Sequence, residues 1–281
     1  MIQRIISLVF VLQFSIVSAF CQPGPVGSLF IIGGGNRPPA LVQNMIDLAG
    51  LGSDGQIIIL PMASAEPDTT VFYASQQFIK QGVSENQITA ILKAPTELTE
   101  TELAQISAAS LIYICGGDQN RFMASLEGSH LLDALHKAYQ NGAMIAGTSA
   151  GAAVMSRKMI TGNSYKYPEY TGEFRSIEAE NIEIADGLGL LPMVIIDQHF
   201  IYRMRMNRLM TVALEHPGYY AIGIDESTAL FVRGQHYKVF GESQVVRIIS
   251  PAPPNIKDGL LGGARLLLDV FLPGDSFRLE F

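Results

Sequence analysis

The sequence predicts an α/β fold: a three-layer, doubly wound, mostly parallel sheet with short antiparallel strands near the C-terminus. Three observations predict it. First, five runs are continuously apolar: SLFIIGGG (28–35), GQIIILPMA (55–63), SLIYICGG (110–117), AMIAGTSA (143–150) and MVIIDQHF (193–200). Runs apolar on both faces suit parallel strands covered by helices on both sides. Second, amphipathic stretches separate them. SHLLDALHKAYQNG (129–142) opens with Ser129 as a candidate N-cap, repeats apolar residues at helical spacing and stops at Asn141-Gly142. Strand–helix alternation of this kind builds doubly wound sheets. Third, the texture changes over 219–250, where YYAIGIDESTALFVRGQHYKVFGESQVVRIIS reads as short strands with turns at Arg233-Gly234 and Gly241-Glu242. These strands are expected on the sheet edge, within one α/β domain spanning 26–281.

Composition narrows the function classes. Of 281 residues, 48% are hydrophobic and 16% charged, which supplies a large core and argues against disorder. Net charge is −7, and no basic patch with interleaved aromatics is present, so nucleic acid is not an expected partner. Residues 1–25 differ. Arg4, an apolar run from Ile5 to about Ala19 and a Pro/Gly linker have the layout of a secretory signal, with Val17-Ser18-Ala19 as a cleavage triplet. The run is shorter than the roughly 20 residues of a spanning helix. The expectation is export, periplasmic or extracellular, without stable membrane insertion after cleavage. Cys21 at this border admits a lipoprotein reading, which Phe20 before it disfavours. Only Cys21 and Cys115 are present, one at the signal border and one in a buried strand, so no disulfide framework is expected.

The motif with most chemical content is Gly147-Thr148-Ser149-Ala150-Gly151, a G-x-S-x-G pattern between an apolar strand and a helix start. A nucleophile on such a turn needs a strained backbone, and small neighbours let strand and helix approach each other. The alternative is a tight structural turn. A serine nucleophile needs a base. Among five histidines, His199 ends a buried strand, where open α/β sheets present functional groups. A histidine base needs an orienting acceptor, and Asp225 or Glu226 in IGIDES (222–227) offers one; spacing does not separate the two. YICGGDQNR (113–121) ends a strand in glycines, so the Gly117 N–H, with that of Ala150, is a candidate oxyanion hole, followed by Gln119 and Asn120 as candidate substrate contacts. No H-E-x-x-H or Cys/His ligand spacing is present, and GGGNRPP (33–39) lacks the Gly-Lys-Ser/Thr of a phosphate loop; neither metal nor cofactor is expected. That segment reads as a turn at the site's rim.

Taken in order, FIIGGG, YICGGDQNR, AGTSAGAAVM, ADGLGLLPMVIIDQHFIYRMRMNRL and AIGIDESTALFV resemble the cyanophycinase family of serine peptidases, from about residue 28 to at least 250. That family is related to dipeptidase E and has a class I glutamine amidotransferase-like fold. The resemblance implies a Ser149–His199–Glu226 triad and substrate contacts at Gln119, Asp197 and Gln198. It implies a substrate with an aspartate backbone and arginine on each β-carboxyl, cleaved to β-Asp-Arg, and a homodimer. Such a substrate carries carboxylates and guanidinium groups, so arginines near the site are expected to bind it. Arg203 and Arg205 after His199 are the candidates; Arg208 reads equally well as part of a solvated helix face. The polar stretch 163–185 is expected to form substrate-shaping loops. Two rival readings are a related peptidase for short aspartyl or isoaspartyl peptides and a non-catalytic binding protein on the same fold.

Overall fold

The computed structural model describes residues 27–169 and 174–280. The expected signal segment and linker, with Cys21, lie outside them. Along the chain, β1 (Ser28–Ile32), α1 (Pro39–Ala49), β2 (Ile57–Leu60), α2 (Pro67–Ile79), β3 (Ile88–Ala90), α3 (Glu100–Ser107) and β4 (Leu111–Ile114) alternate strand and helix. Then come α4 (Gln119–Ser125), α5 (Leu131–Gln140), β5 (Met144–Thr148), α6 (Ala150–Ala153), β6 (Lys158–Ser164), β7 (Ile182–Asp186), β8 (Val194–Gln198) and α7 (Met206–Glu215). The last segment is almost all strand: β9 (Tyr220–Ile224), β10 (Thr228–Arg233), β11 (His236–Gly241), β12 (Val245–Ile249), β13 (Asn255–Lys257), β14 (Leu260–Gly262), β15 (Leu267–Phe271) and β16 (Ser276–Arg278).

The central sheet has the order β16-β11-β10-β1-β5-β4-β2-β3. Its β1, β5, β4, β2 and β3 run parallel, and β10, β11 and β16 extend it antiparallel. The strand residues divide cleanly between two cores, because successive side chains point to opposite faces. Phe30, Ile57, Ile59, Leu111, Tyr113 and Met144 pack with α1 and α2. Leu29, Ile31, Ile58, Ile112, Ile114 and Ile145 pack with α3, α5 and α6. Each such side chain, fully buried, contributes about 1.5–3 kcal/mol. This is the expected three-layer arrangement.

Three details differ from the sequence expectation. MVIIDQHF is not a member of the central sheet: β8 pairs in parallel with β9, in a second sheet ordered β15-β12-β9-β8. Its apolar pattern reports burial on both faces, which either sheet satisfies. Nor do all late strands sit at an edge, since β10 lies inside the central sheet between β1 and β11. Helix α5 starts at Leu131, with His130 at the N-cap. Ser129 instead closes the preceding turn, its hydroxyl donating to Leu126 O at 2.8 Å. In the 163–185 stretch, β7 returns antiparallel onto β6 with a register shift, and residues 170–173 lie outside the described residues. Among the described residues no helix is long and apolar enough to cross a membrane.

Candidate active site

Strands β1, β4 and β5 run parallel, and their C-terminal ends converge on Ser149. This serine has φ 54° and ψ −110°, between the end of β5 and the first turn of α6. A non-glycine residue there costs on the order of 1–3 kcal/mol and persists only when its surroundings fix it. Here the surroundings are glycines. A Cβ at Gly147 would lie 2.3 Å from Gly151 O, and one at Gly151 would lie 2.3 Å from Ile114 O. Both clashes are with backbone, so the G-x-S-x-G spacing is what lets α6 press onto β4 and β5. The Ser149 N–H donates to Ile32 O of β1 at 3.0 Å.

His199 follows β8 and also has a left-handed backbone, φ 49°. Its N–H donates to Gly33 O at 2.6 Å, which ties the second sheet to the end of β1. The ring is buried. Nδ1 lies 2.5 Å from Glu226 Oε1, and Nε2 lies 2.9 Å from Ser149 Oγ. With Glu226 ionised, Nδ1–H donates to the carboxylate and Nε2 accepts from the serine hydroxyl. Burial lowers the imidazole pKa below its ordinary 6.5; the Glu226 hydrogen bond opposes this, and the charges of Arg203 and Arg205 add to the lowering. The ring is therefore neutral and basic at neutral pH.

The structure separates the two adjacent acids. Asp225 turns away, accepting from the Ile201 and Tyr202 N–H groups at 3.0 and 2.9 Å and from the Ser243 hydroxyl at 2.6 Å. It fixes the loop after His199, while Glu226 faces the ring.

The glycines of GGGNRPP do more than form a rim. A Cβ at Gly34 would lie 2.3 Å from His199 Cε1, and one at Gly35 would lie 2.7 Å from Glu226 Cβ. The missing side chains are the space that the imidazole and carboxylate occupy. On the other side of Ser149, a Cβ at Gly116 would lie 3.4 Å from the serine Cβ. Gly117 has φ 142° and packs on Ala63, whose carbonyl accepts from Asp118 N at 2.9 Å. Among the described residues the N–H groups of Gly117 and Ala150 donate to no protein acceptor. A cavity of about 340 Å³ opens beside the serine, lined by Ser149, His199, Gly34, Gly116, Arg37 and Tyr113 among others. No group of three or more His, Cys, Asp or Glu side chains among the described residues could hold a metal ion.

A model of peptidase family S51 matches residues 29–240. The chain belongs to peptidase family S51. It is similar to a cyanophycinase of Synechococcus elongatus, with 35% identity over 234 residues covering 81% of this chain and 69% of that protein. A cyanophycinase of Geminocystis herdmanii is 32% identical over 223 residues, covering 78% of this chain and 79% of that one. A peptidase E of Pasteurella multocida is 26% identical over 194 residues, covering 63% and 77%. Among solved structures, a peptidase from an acI-B1 Actinobacterium superposes with a TM-score of 0.65 at 24% identity, covering 91% of this chain and 98% of that one, and shares the fold. This S51 protein is a serine-type peptidase.

The residues expected to touch substrate in this S51 peptidase are placed differently from one another. Asp197 does not face the cavity: its carboxylate is wholly buried and held by both Nε and Nη2 of Arg208, with Arg205 Nη1 at 3.6 Å. Arg208 is therefore no solvated surface residue; it is 2% exposed and its guanidinium lies over Phe174. Arg205 is buried too and donates to Gln198 O at 2.5 Å. Gln119 is buried, and its amide donates to Ile160 O, at 3.1 Å, and to Thr161 O, which docks the β6–β7 hairpin. Gln198 is buried with its side-chain oxygen unpartnered. Arg203 is half-buried and close enough to His199 for its charge to act on the ring. Residues 199–204 form turns, with Met204 at φ 50°, and α7 begins only at Met206. Cys115 is buried beside the serine, its thiol pushed up to about 12 by burial, and so remains protonated.

Gly34 makes the geometry testable. Gly34→Ala is expected to lower kcat by about 100-fold or more, because a methyl there must displace the imidazole edge of His199 by about 1 Å. Steady-state peptide hydrolysis checks this; activity within about threefold of wild type would show that the ring does not depend on that space.

Proposed function

We propose that this S51 peptidase hydrolyses cyanophycin, multi-L-arginyl-poly-L-aspartate, to β-Asp-Arg dipeptides through an acyl-enzyme on Ser149. The observation that carries the reading is the Ser149–His199–Glu226 hydrogen-bonded chain on a positive-φ turn, in a chain similar to proteins named cyanophycinase. His199 Nε2 takes the serine proton as Oγ attacks the scissile carbonyl; Glu226 holds the ring in the Nδ1–H tautomer and stabilises the imidazolium. The N–H groups of Gly117 and Ala150 donate to the developing oxyanion, a contribution on the order of 3–4 kcal/mol per donor. The imidazolium then protonates the leaving amine, and water, activated by the same ring, releases the acyl group. Arg203 is the candidate for a charged substrate contact; the buried Asp197, Arg205, Gln119 and Gln198 act by positioning. Export of the mature chain and a homodimer belong to the same reading, tested by fractionation and sedimentation.

The test is incubation of the purified protein with insoluble cyanophycin and mass spectrometry of the soluble products. Release of β-Asp-Arg supports the reading. No release, with cleavage of short aspartyl peptides, would transfer it to the substrates of a peptidase E-like relative.

The pH profile is also fixed in sign. A base whose pKa is lowered stays unprotonated further into acid, so kcat/KM is expected to be flat around neutrality, with its acid limb below pH 6.5. A limb centred above 7 would contradict a buried, neutral His199.

A further inference from the structure

Beyond the triad, the cavity has a second polar group of residues on the α1/α2 side of the sheet. Arg37, from the loop after β1, donates through Nε to Gln77 Oε1 at 2.6 Å and through Nη1 to Gly35 O at 3.3 Å. Three of its five N–H donors are left over, and among the described residues no carboxylate pairs with it. Around it are the Tyr113 hydroxyl, the Thr148 hydroxyl and the Gln77 amide nitrogen, all buried, with Gln77 and Thr148 close to the Tyr113 hydroxyl and no hydrogen-bond partner outside this group. Tyr113 is 1% exposed and Thr148 5%, and both line the cavity with Arg37 and Ser149. Leaving one buried donor unpaired costs roughly 1–3 kcal/mol. These groups and the guanidinium together have more donors than acceptors, which leaves donors for an incoming acceptor.

The charge of the pocket selects that acceptor. No Asp or Glu lines it. Burial raises the Tyr113 phenol above 10.0 and the Cys115 thiol to about 12, so both stay neutral. Every group there is neutral or cationic, and the geometry is that of hydrogen-bond donors around an arginine. This suits a carboxylate, which accepts several such bonds at once.

We propose that Arg37, Tyr113 and Thr148, with Gln77 orienting the Arg37 guanidinium, form a subsite that holds a substrate carboxylate while the neighbouring carbonyl meets Ser149. The proposal rests on the cyanophycin reading, which supplies two sources of that carboxylate: the C-terminus of the aspartate chain and the α-carboxylate of an arginine branch. Arg37 and its partners are thus specificity residues for the proposed reaction.

The test uses a synthetic β-Asp-Arg trimer in three forms: fully free, amidated at the chain terminus, and amidated at the arginine carboxylates. Wild type is expected to lose about 10–100-fold in kcat/KM on one of the two amidations, which identifies the source. Arg37→Gln is expected to lose as much on the free trimer and nothing further on that amide. Tyr113→Phe is expected to raise KM with Tm within about 2 °C of wild type, because in the free protein its hydroxyl meets only Gln77 and Thr148; a structural role would lower Tm further. Equal sensitivity of wild type and Arg37→Gln to both amidations overturns the proposal.

A second readout separates this failure from that of the function. β-Asp-Arg and its amides are titrated calorimetrically into Ser149→Ala and into Ser149→Ala carrying Arg37→Gln. If wild type leaves every trimer uncut, the cyanophycin reading falls. The subsite stands if the free dipeptide binds Ser149→Ala at least tenfold tighter than its amide and Arg37→Gln removes the difference. It falls if binding does not depend on the carboxylate.

Discussion

Ser149→Ala is expected to fold as wild type does and to lose at least about 10⁴-fold in kcat on cyanophycin, read as β-Asp-Arg released. The substitution removes one oxygen. It keeps the Cβ, and so keeps the φ 54° turn and the packing of Gly147 against Gly151. His199 and Glu226 remain paired, because their bond does not involve the serine. No neighbour takes over the attack: Cys115 is buried and its thiol is held protonated by a pKa of about 12. Residual turnover within tenfold of wild type would remove Ser149 from the mechanism.

Asp197→Ala is expected to destabilise the fold by about 3–5 kcal/mol, because deleting one partner leaves buried cations uncompensated. The Arg208 guanidinium loses both of its bonds to the carboxylate, and Arg205 loses its nearby anion. Neither arginine reaches solvent by a small rotation, since both are at most 3% exposed. At roughly 2–4 °C per kcal/mol for a domain of this class, Tm is expected to fall by about 6–20 °C. Thermal unfolding followed by circular dichroism measures it. A shift under about 2 °C would mean that the pair is open to water. Activity is expected to fall even where the variant is folded. Asp197 Oδ1 also accepts from Gln198 N at 2.7 Å, one residue before His199.

Much of the site was legible because steric demands leave marks in composition. Gly147 and Gly151 are forced by backbone carbonyls 2.3 Å from where a Cβ would be, so Ser149 stands out in the sequence. His199 stood out by ending an apolar strand. Asp225 and Glu226 were inseparable because adjacent side chains at a strand end point in different directions, and the turn geometry decides which one meets the imidazole. Asp197 and Gln119 have residue types that serve substrate or scaffold equally, and sequence does not report burial. The assignment of β8 to a second sheet was hidden because an apolar run reports burial but not which strand it pairs with. Arg37 belongs to the GGGNRPP loop, but Gln77, Tyr113 and Thr148 come from three other segments, and only the fold brings them to it.

The end of β1 has a mechanical consequence. Ile32 O receives Ser149 N–H, Gly33 O receives His199 N–H, and Gly34 O receives the N–H of Ser227, next to Glu226. Three consecutive carbonyls therefore serve as one reference mark for three groups that arrive from distant parts of the chain and from two different sheets. A displacement of β1 carries all three together and leaves their mutual spacing unchanged. Relative sliding of the two sheets, by contrast, must first break the bonds at Gly33 and Gly34, so it is resisted most stiffly at the point where a loss of alignment would matter most.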